Sequence, residues 1–256
     1  MQNNIFSGLF VGQNLVVLKE VDSTNTFLKN SLSNSKPLPE GTVIMAEDQY
    51  AGRGQRENTW HAEPGKNLTF SILLNPTFLS AQQQFDLTRA VSMGVYDALY
   101  PLLRDSLKIK WPNDVYYQDK KLGGMLIENI LQGAQIKHAV VGIGININQE
   151  NFHPGAVNAT SLKKILQKDY DLQYILAEIC NRIEAYYLQL KAGKLQFVRD
   201  LYISRLYRLN ERHWYKSNEK KFEGIIKNVQ PGGLLMVEHD GQEYTYNLKE
   251  IEFLDD

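Results

Sequence analysis

Apolar and polar residues along the chain predict strands and helices in mixed order. Two long stretches, residues 80–103 and 171–190, have apolar residues at helical spacing. A shorter helix is predicted after Asp22 and Ser23, whose side chains are typical N-caps, and it should end near Leu32. The predicted strands are residues 15–18, 42–46, 67–74, 108–111, 115–117, 122–130 and 137–148. This order predicts an α+β fold in which helices pack on a mixed sheet.

The pattern changes near Leu209, where predicted strands become short and turns frequent. Asp240-Gly241 stands between two strand-like segments and predicts a two-residue hairpin. We therefore predict that residues 1–207 form one domain and residues 208–256 a small β-barrel-like domain.

Composition narrows the class of protein. The 256 residues include 28 Lys and Arg and 29 Asp and Glu, a formal net charge of −1, which disfavours a dedicated nucleic-acid binder. The single cysteine, Cys180, cannot form an intrachain disulfide, and its place in a predicted helix indicates a small buried hydrophobic residue. No apolar run reaches transmembrane length, and no signal peptide is evident at the N-terminus. We expect a cytoplasmic protein that binds neither membrane nor DNA.

Two segments place cations beside glycines. The polar loop 50–65 contains Ala51-Gly52-Arg53-Gly54-Gln55-Arg56, in which backbone N–H groups and arginines could hold a phosphate. A flexible surface loop is the alternative. Lys121-Leu122-Gly123-Gly124 opens a predicted strand, and its lysine could neutralise a phosphate or an oxyanion. A solvated basic hairpin turn is the alternative.

Two further segments place polar residues at strand ends or glycines within a strand. In Lys110-Trp111-Pro112-Asn113-Asp114, the proline ends regular pairing, so Asn113 and Asp114 could bond a ligand, help bind a metal or only form an Asx turn. In Gly142-Ile143-Gly144-Ile145-Asn146, alternating glycines suggest close approach by a flat ligand or another backbone. Ile147 stands where a dinucleotide fingerprint would need a third glycine.

Together with Asp22-Ser23-Thr24-Asn25, these four segments, in their order along the chain, resemble the biotin–protein ligase family over nearly the whole chain. The resemblance implies a class II synthetase-like catalytic domain followed by a small SH3-like β-barrel domain, in the monofunctional form that lacks an N-terminal DNA-binding domain. It implies that biotin and ATP, with Mg²⁺, form biotinyl-5′-AMP, and that a lysine of a biotin carboxyl carrier protein domain accepts the biotin. Whether the protein is a homodimer is left open.

The resemblance also implies roles for individual residues, with Lys121 and Arg53 as the catalytic pair. The residues implied to bind biotin are Ser23, Thr24, Asn25, Gln49, Gly52, Arg53, Gly54, Gln55, Lys121, Gly124, Gly142 and Gly144. The residues implied to bind ATP or the adenylate are Arg53, Arg56, Trp60, Asn113, Asp114, Lys121 and Asn146, with Asp114 also in the Mg²⁺ region. Gln55, Glu57 and Asn58 replace the family's common arginine, glycine and arginine, so we expect a loop that holds the adenylate less tightly.

Three other functions are weighed against this one. A lipoate or octanoate ligase has a related fold, although the Trp-Pro-Asn-Asp and Lys-Leu-Gly-Gly segments favour biotin. A non-catalytic biotin or nucleotide sensor would be expected to have lost the function of Lys121, which is present. A DNA-binding regulator is disfavoured, because residues 1–20 are too few for a helix-turn-helix and the charge is balanced.

Overall fold

The computed structural model describes residues 6–33, 38–55, 58–156 and 158–254, and seven strands of this part form a mixed sheet. The strands are β1 (Leu15–Val21), β2 (Val43–Gln49), β3 (Leu68–Leu74), β4 (Leu107–Lys110), β5 (Asp114–Tyr117), β6 (Lys120–Gln132) and β7 (Gln135–Ile145). They lie in the order β1-β2-β3-β7-β6-β5-β4. Only the β1–β2 pair among these described strands is parallel. Five α-helices accompany them in the described residues: α1 (Thr24–Ser31), α2 (Gln84–Leu103), α3 (Leu162–Leu166), α4 (Leu172–Lys191) and α5 (Leu195–Ser204).

The two faces of this sheet are covered differently, because side chains alternate along each strand. On one face, the residues of β3 and β7 join α2 and α4 in the main hydrophobic core, which includes Phe70 and Val141. On the other face, Leu28 of α1 packs against Leu73 and Val140 in a much smaller apolar cluster. Since the short helix α1 covers only part of its face, the rest of that face is available to form a site.

The C-terminal strands form a second, antiparallel sheet. They are β8 (Arg212–Ser217), β9 (Lys220–Val229), β10 (Leu235–His239), β11 (Gln242–Tyr246) and β12 (Glu252–Phe253), in the order β11-β10-β9-β8-β12. The predicted hairpin joins β10 to β11 through Asp240 and Gly241, whose φ angles of 52° and 72° are those of a type I′ turn. The local sequence therefore decided this connection.

A buried arginine connects the second sheet to α2. The Arg89 side chain is fully buried, forms an ion pair with Asp86 at 2.8 Å and donates to the three successive main-chain carbonyls of residues 229–231. Arg199 of α5 bonds the same Asp86 carboxylate through Nε at 2.8 Å and Nη2 at 2.6 Å. The turn after β9 is thus fixed to the helical layer by charge-assisted hydrogen bonds.

The predicted α+β class is confirmed, and the elements differ from prediction mainly in extent. The described residues contain two α-helices that the pattern did not predict, α3 and α5. Ser23 is the N-cap of α1 as predicted, but within the described chain its hydroxyl bonds no N–H of that helix. The boundary between residues 207 and 208 stays a prediction. Among the described helices, none combines the length and the apolar character needed to span a bilayer.

Candidate active site

The floor of the candidate site is the face of the first sheet that α1 only partly covers, and three glycines allow side chains to approach its strands closely. Strand register places Asp114, Gly124, Gly144 and Thr69 side by side in one row across four strands. A parallel row contains Leu126, Gly142 and Ser71. Directly paired residues share a face of the sheet, so both rows face the side that α1 only partly covers.

A β-bulge directs Lys121 towards this face. Val115 pairs with Gly123 but the next residue, Tyr116, pairs with Lys121, so Leu122 is an extra residue in β6. Strict alternation would place Lys121 on the opposite face from Gly124, and the bulge reverses this. The Lys121 ammonium therefore reaches Asp114, with Nζ 2.7 Å from Oδ2. Both side chains are about one-third exposed, which leaves the pair accessible to a ligand.

The start of α1 forms a polar wall of the site. Thr24 donates through its N–H and its hydroxyl to Oε1 of Gln49, at 2.8 and 3.0 Å. Because this carbonyl oxygen is occupied, the Gln49 amide nitrogen is the group that remains for a ligand. The Ser71 hydroxyl lies 2.7 Å from the Thr24 hydroxyl and 2.6 Å from Oδ1 of Asn25. The wall is therefore a connected hydrogen-bond network anchored on β3.

The glycine–arginine loop forms the rim of the site as a narrow hairpin. Arg53 and Thr59 form an antiparallel bridge, and the Trp60 N–H donates to the Gly52 carbonyl at 2.9 Å. The Arg53 guanidinium turns away from the hairpin and pairs with Glu128 of β6 at 2.8 Å. The hairpin therefore has a side-chain attachment to the sheet as well as its own backbone bonds.

Side chains of the protein itself fill the space above two of the glycines. A Cβ atom on Gly144 would lie 2.5 Å from the Trp60 ring, and one on Gly142 would overlap the Asn25 side-chain amide. The groups that approach these glycines closely are therefore the side chains of Asn25 and Trp60, and not another backbone as one of the two predictions had it. The Trp60 Nε1–H is buried and has no hydrogen-bond partner among the described residues, so this donor is available for a ligand acceptor.

The resulting cleft has a cavity volume of about 160 Å³. The predicted site residues that line it are Ser23, Thr24, Asn25, Gln49, Arg53, Gly54, Gln55, Trp60, Asp114, Lys121, Gly124, Gly142 and Gly144. Asn113 lines an adjoining cleft beside the second sheet, and Gly52 lies behind the rim against Gln49 and Trp60. Asn146 is buried and donates to the Thr160 carbonyl at 3.0 Å, and Arg56 lies outside the described residues.

Several residues of the site were not predicted. Ser71 belongs to a fully buried strand whose pattern indicates only core, and Thr59 was not predicted as a site residue. Asn58 was predicted only as a replacement that weakens the loop's hold on the adenylate, and it lines the cleft. Glu128 lies four residues after Gly124 in β6, and its local sequence gives no sign of its partners. Burial acts to raise the pKa of Glu128, but hydrogen bonds from Lys29 and Asn25 and the charge of Arg53 hold it below its ordinary value. Glu128 is therefore an ionised centre beside the cleft.

The donor set of the cleft fits a phosphate-bound cation better than a resident metal. The described residues contain no group of three or more His, Cys, Asp or Glu side chains arranged to hold a metal. Asp114 is a single accessible carboxylate beside Lys121. One carboxylate is enough for a Mg²⁺ ion whose other ligands are substrate phosphates and water. Cys180 is fully buried in α4, and burial raises the pKa of its thiol, so it supplies no nucleophile here.

The chain is similar to known proteins in sequence and in fold. The model of the Biotin/lipoate A/B protein ligase family matches residues 17–146, which include the polar wall, the hairpin and the three glycines. The biotin–[acetyl-CoA-carboxylase] ligase of Paracoccus denitrificans is 28% identical over 232 residues, 86% of this chain and 92% of that protein. The solved structure of the Aquifex aeolicus biotin protein ligase in complex with biotin and ATP has a TM-score of 0.79 and 28% identity, covering 95% of this chain and 100% of that one.

Proposed function

Because the chain belongs to the Biotin/lipoate A/B protein ligase family, we propose that it is a biotin–protein ligase. It activates biotin with ATP as biotinyl-5′-AMP and transfers the biotin to a lysine of a carrier protein. One observation carries the proposal: a single cleft has a wall of hydroxyl and amide groups at one end and an accessible Lys121–Asp114 pair at the other. The fold match to an enzyme solved with biotin and ATP supports the same assignment.

The polar wall suits the head group of biotin. A ureido ring presents one carbonyl acceptor and two N–H donors, so it needs donors and acceptors close together. The Gln49 amide nitrogen and the Ser23 hydroxyl supply such groups, and Ser23 is only 4% exposed. Asn25 lines the cleft, but its N–H groups already donate to Glu128 and to the Leu126 carbonyl, so we assign it to the framework of the wall.

Lys121 is placed for the chemical step. The biotin carboxylate attacks the α-phosphorus of ATP, forming the new P–O bond as the bond to pyrophosphate breaks. Two anions meet in this step, so a cation must offset their repulsion and the charge that builds on the phosphoryl oxygens. The Lys121 ammonium lies 2.7 Å from the Asp114 carboxylate, and Arg53 lies at the rim of the same cleft. In the second step the acceptor amine attacks the acyl carbon, loses a proton and displaces AMP.

Asp114 is the residue that would hold Mg²⁺. When bound with ATP, the metal supplies charge neutralisation on the phosphates. The chain contributes one carboxylate, which lines the cleft and forms an ion pair with Lys121. We propose no further metal ligand.

The acceptor that we propose is a folded biotin carboxyl carrier domain, as expected for a relative of the Paracoccus biotin–[acetyl-CoA-carboxylase] ligase. The target amine must reach an acyl carbon held beside Lys121, and a docked domain orients it as a free amino acid cannot. A cytoplasmic location stays a prediction.

The direct test measures pyrophosphate release from ATP with biotin, lipoate, octanoate or no acid, followed by the mass of a carrier domain added afterwards. We expect release that depends on biotin and a carrier mass increased by one biotinyl group. Release with lipoate or octanoate but not with biotin would contradict the assignment, as would biotin binding without release, which indicates a sensor.

A further inference from the structure

Glu128 bridges three parts of the molecule that meet at the cleft. Its Oε1 pairs with Lys29 of α1 at 2.7 Å, and its Oε2 pairs with Arg53 of the hairpin at 2.8 Å. The same Oε2 accepts from Nδ2 of Asn25 at 2.9 Å. Glu128 itself is in β6, so one carboxylate links the helix, the hairpin and the sheet.

The contact with Arg53 is the one that reaches the cleft. Arg53 lines the cleft while it is paired, whereas Glu128 and Lys29 are absent from the described lining residues. Arg53 has no other ion-pair partner among the described residues and is 39% exposed, so without Glu128 its guanidinium would be free to swing into solvent. The nearby Lys29 would also repel it once their shared carboxylate was gone.

We infer that Glu128 is a positioning residue of the ligase reaction, which holds the Arg53 guanidinium at the cleft rim before the nucleotide binds. The inference rests on the proposed function, because the ligand of Arg53 is the phosphate of ATP or of the adenylate. Preorganisation of this kind lowers the entropic cost of forming the contact and the reorganisation needed in the reaction. The carboxylate acts through Arg53 and touches no reacting atom.

The Arg53 pair is accessible enough to be shared with a ligand. The side chains of Glu128 and Arg53 are 24% and 39% exposed, so an incoming phosphate can share the guanidinium without burying an unpaired charge. When Arg53 turns to a phosphate, Lys29 and Asn25 still bond Glu128. The second cation therefore keeps the carboxylate paired during the exchange.

The experiment compares Glu128→Gln, Arg53→Gln, the double variant and Lys29→Met in the full chain. The glutamine at 128 keeps the shape and an acceptor for Asn25 but removes the charge. Lys29→Met is the matched control, because it removes the other cation of the same carboxylate. The readouts are kcat and the KM for ATP in biotin-dependent pyrophosphate release, and the Kd for biotin by calorimetry.

We expect Arg53→Gln to lower kcat/KM for ATP by about 100-fold and Glu128→Gln by about tenfold, with the Kd for biotin within about twofold of wild type in both. Lys29→Met should stay within about twofold of wild type. The double variant should match Arg53→Gln within about twofold, because Glu128 acts only through Arg53.

Three results would overturn the inference. The first is wild-type kinetics in Glu128→Gln, and the second is a double variant in which the two losses multiply. The third is that Glu128→Gln and Lys29→Met lose kcat/KM for ATP and affinity for biotin to the same extent. The last result would indicate a purely structural carboxylate. If Glu128→Gln does not fold, Glu128→Asp replaces it in the test, because it keeps the charge and shortens the side chain by one methylene. We then expect a loss of kcat/KM for ATP smaller than about tenfold and no change in the Kd for biotin. Wild-type protein without biotin-dependent release would instead refute the proposed function.

Discussion

Two clusters in this molecule have the same charges and different access to water. Each has one carboxylate between two cations: Glu128 with Lys29 and Arg53 in the pocket cluster, and Asp86 with Arg89 and Arg199 in the junction cluster. Side chains of the pocket cluster are 24–39% exposed, whereas those of the junction cluster are 0–19% exposed. The exposed pairs of the pocket cluster are therefore weak and open to exchange of a cation with a ligand, whereas the buried pairs of the junction cluster hold two layers of the fold together.

The same contrast separates two tryptophans. Trp111 lies at the junction, and its indole N–H donates to the Gly233 carbonyl of the second sheet at 2.9 Å. Trp60 lies at the pocket, and its indole N–H has no partner among the described residues. The junction thus uses polar groups to hold the protein together, while the pocket leaves them available. This difference indicates which residues can be changed without unfolding the chain.

The largest expected effect is on the stability of the junction. Arg89→Ala should lower the free energy of unfolding by about 3–5 kcal/mol, because it leaves buried carbonyls unbonded and weakens the pairing of Asp86. Denaturant unfolding measures this. Arg212→Ala is the control, since Arg212 is 65% exposed and pairs only loosely with Glu223 at 3.5 Å. Equal losses in the two variants would mean that burial does not separate the clusters.

Lys121→Ala should affect activity and not stability. Loss of this cation should raise the barrier to adenylation by about 2–4 kcal/mol, a decrease of about 10²–10³-fold in the rate of biotin-dependent pyrophosphate release. The adjacent Lys120 is exposed, so Lys120→Ala should retain the wild-type rate. A folded Lys121→Ala variant with a normal rate would remove Lys121 from the mechanism.

Trp60→Ala tests whether the Trp60 indole contributes to ligand binding. We expect it to weaken ATP binding by about 1–3 kcal/mol and biotin binding by less, because an aromatic face beside the cleft suits an adenine ring. Isothermal titration with each ligand gives the two affinities. Trp214→Ala, at a 44% exposed position of the second sheet, should change neither. Should Trp60→Ala mainly lower stability, Trp60 would be a packing residue.

The smallest expected effect is the stability change at the pocket cluster. Glu128→Gln should lower the free energy of unfolding by less than about 1 kcal/mol, since the pairs that it breaks are partly solvated. The lowered pKa of Glu128 means that its pairing stabilises the fold at and above the ordinary carboxyl pKa and loses that effect as acid protonates it. Chemical unfolding at neutral and acid pH gives both values, and a loss as large as that of Arg89→Ala would contradict the comparison.

Much of the site was predictable because its segments carry their own local signals. Cations and glycines are neighbours in sequence within the hairpin, and again at the start of β6. The fold brings both segments to the same cleft. The hairpin at Asp240-Gly241 was predictable for the same reason, since turn geometry depends on neighbouring residues. The helix α3 was missed because five residues give no reliable periodicity. The helix α5 was missed because it begins after Lys194, which is not a typical N-cap residue.

The sequence by itself determined the strong periodic elements, the two-sheet organisation and the segments that line the cleft, because each depends on neighbouring residues. Only the tertiary structure decided which side chains meet. Glu128 and Arg53 are 75 residues apart and pair because β6 is brought beside the hairpin. Lys121 faces Asp114 because one bulge reverses its direction. Strand order, register and bulges arise from packing across the whole sheet, so no local pattern of residues encodes them.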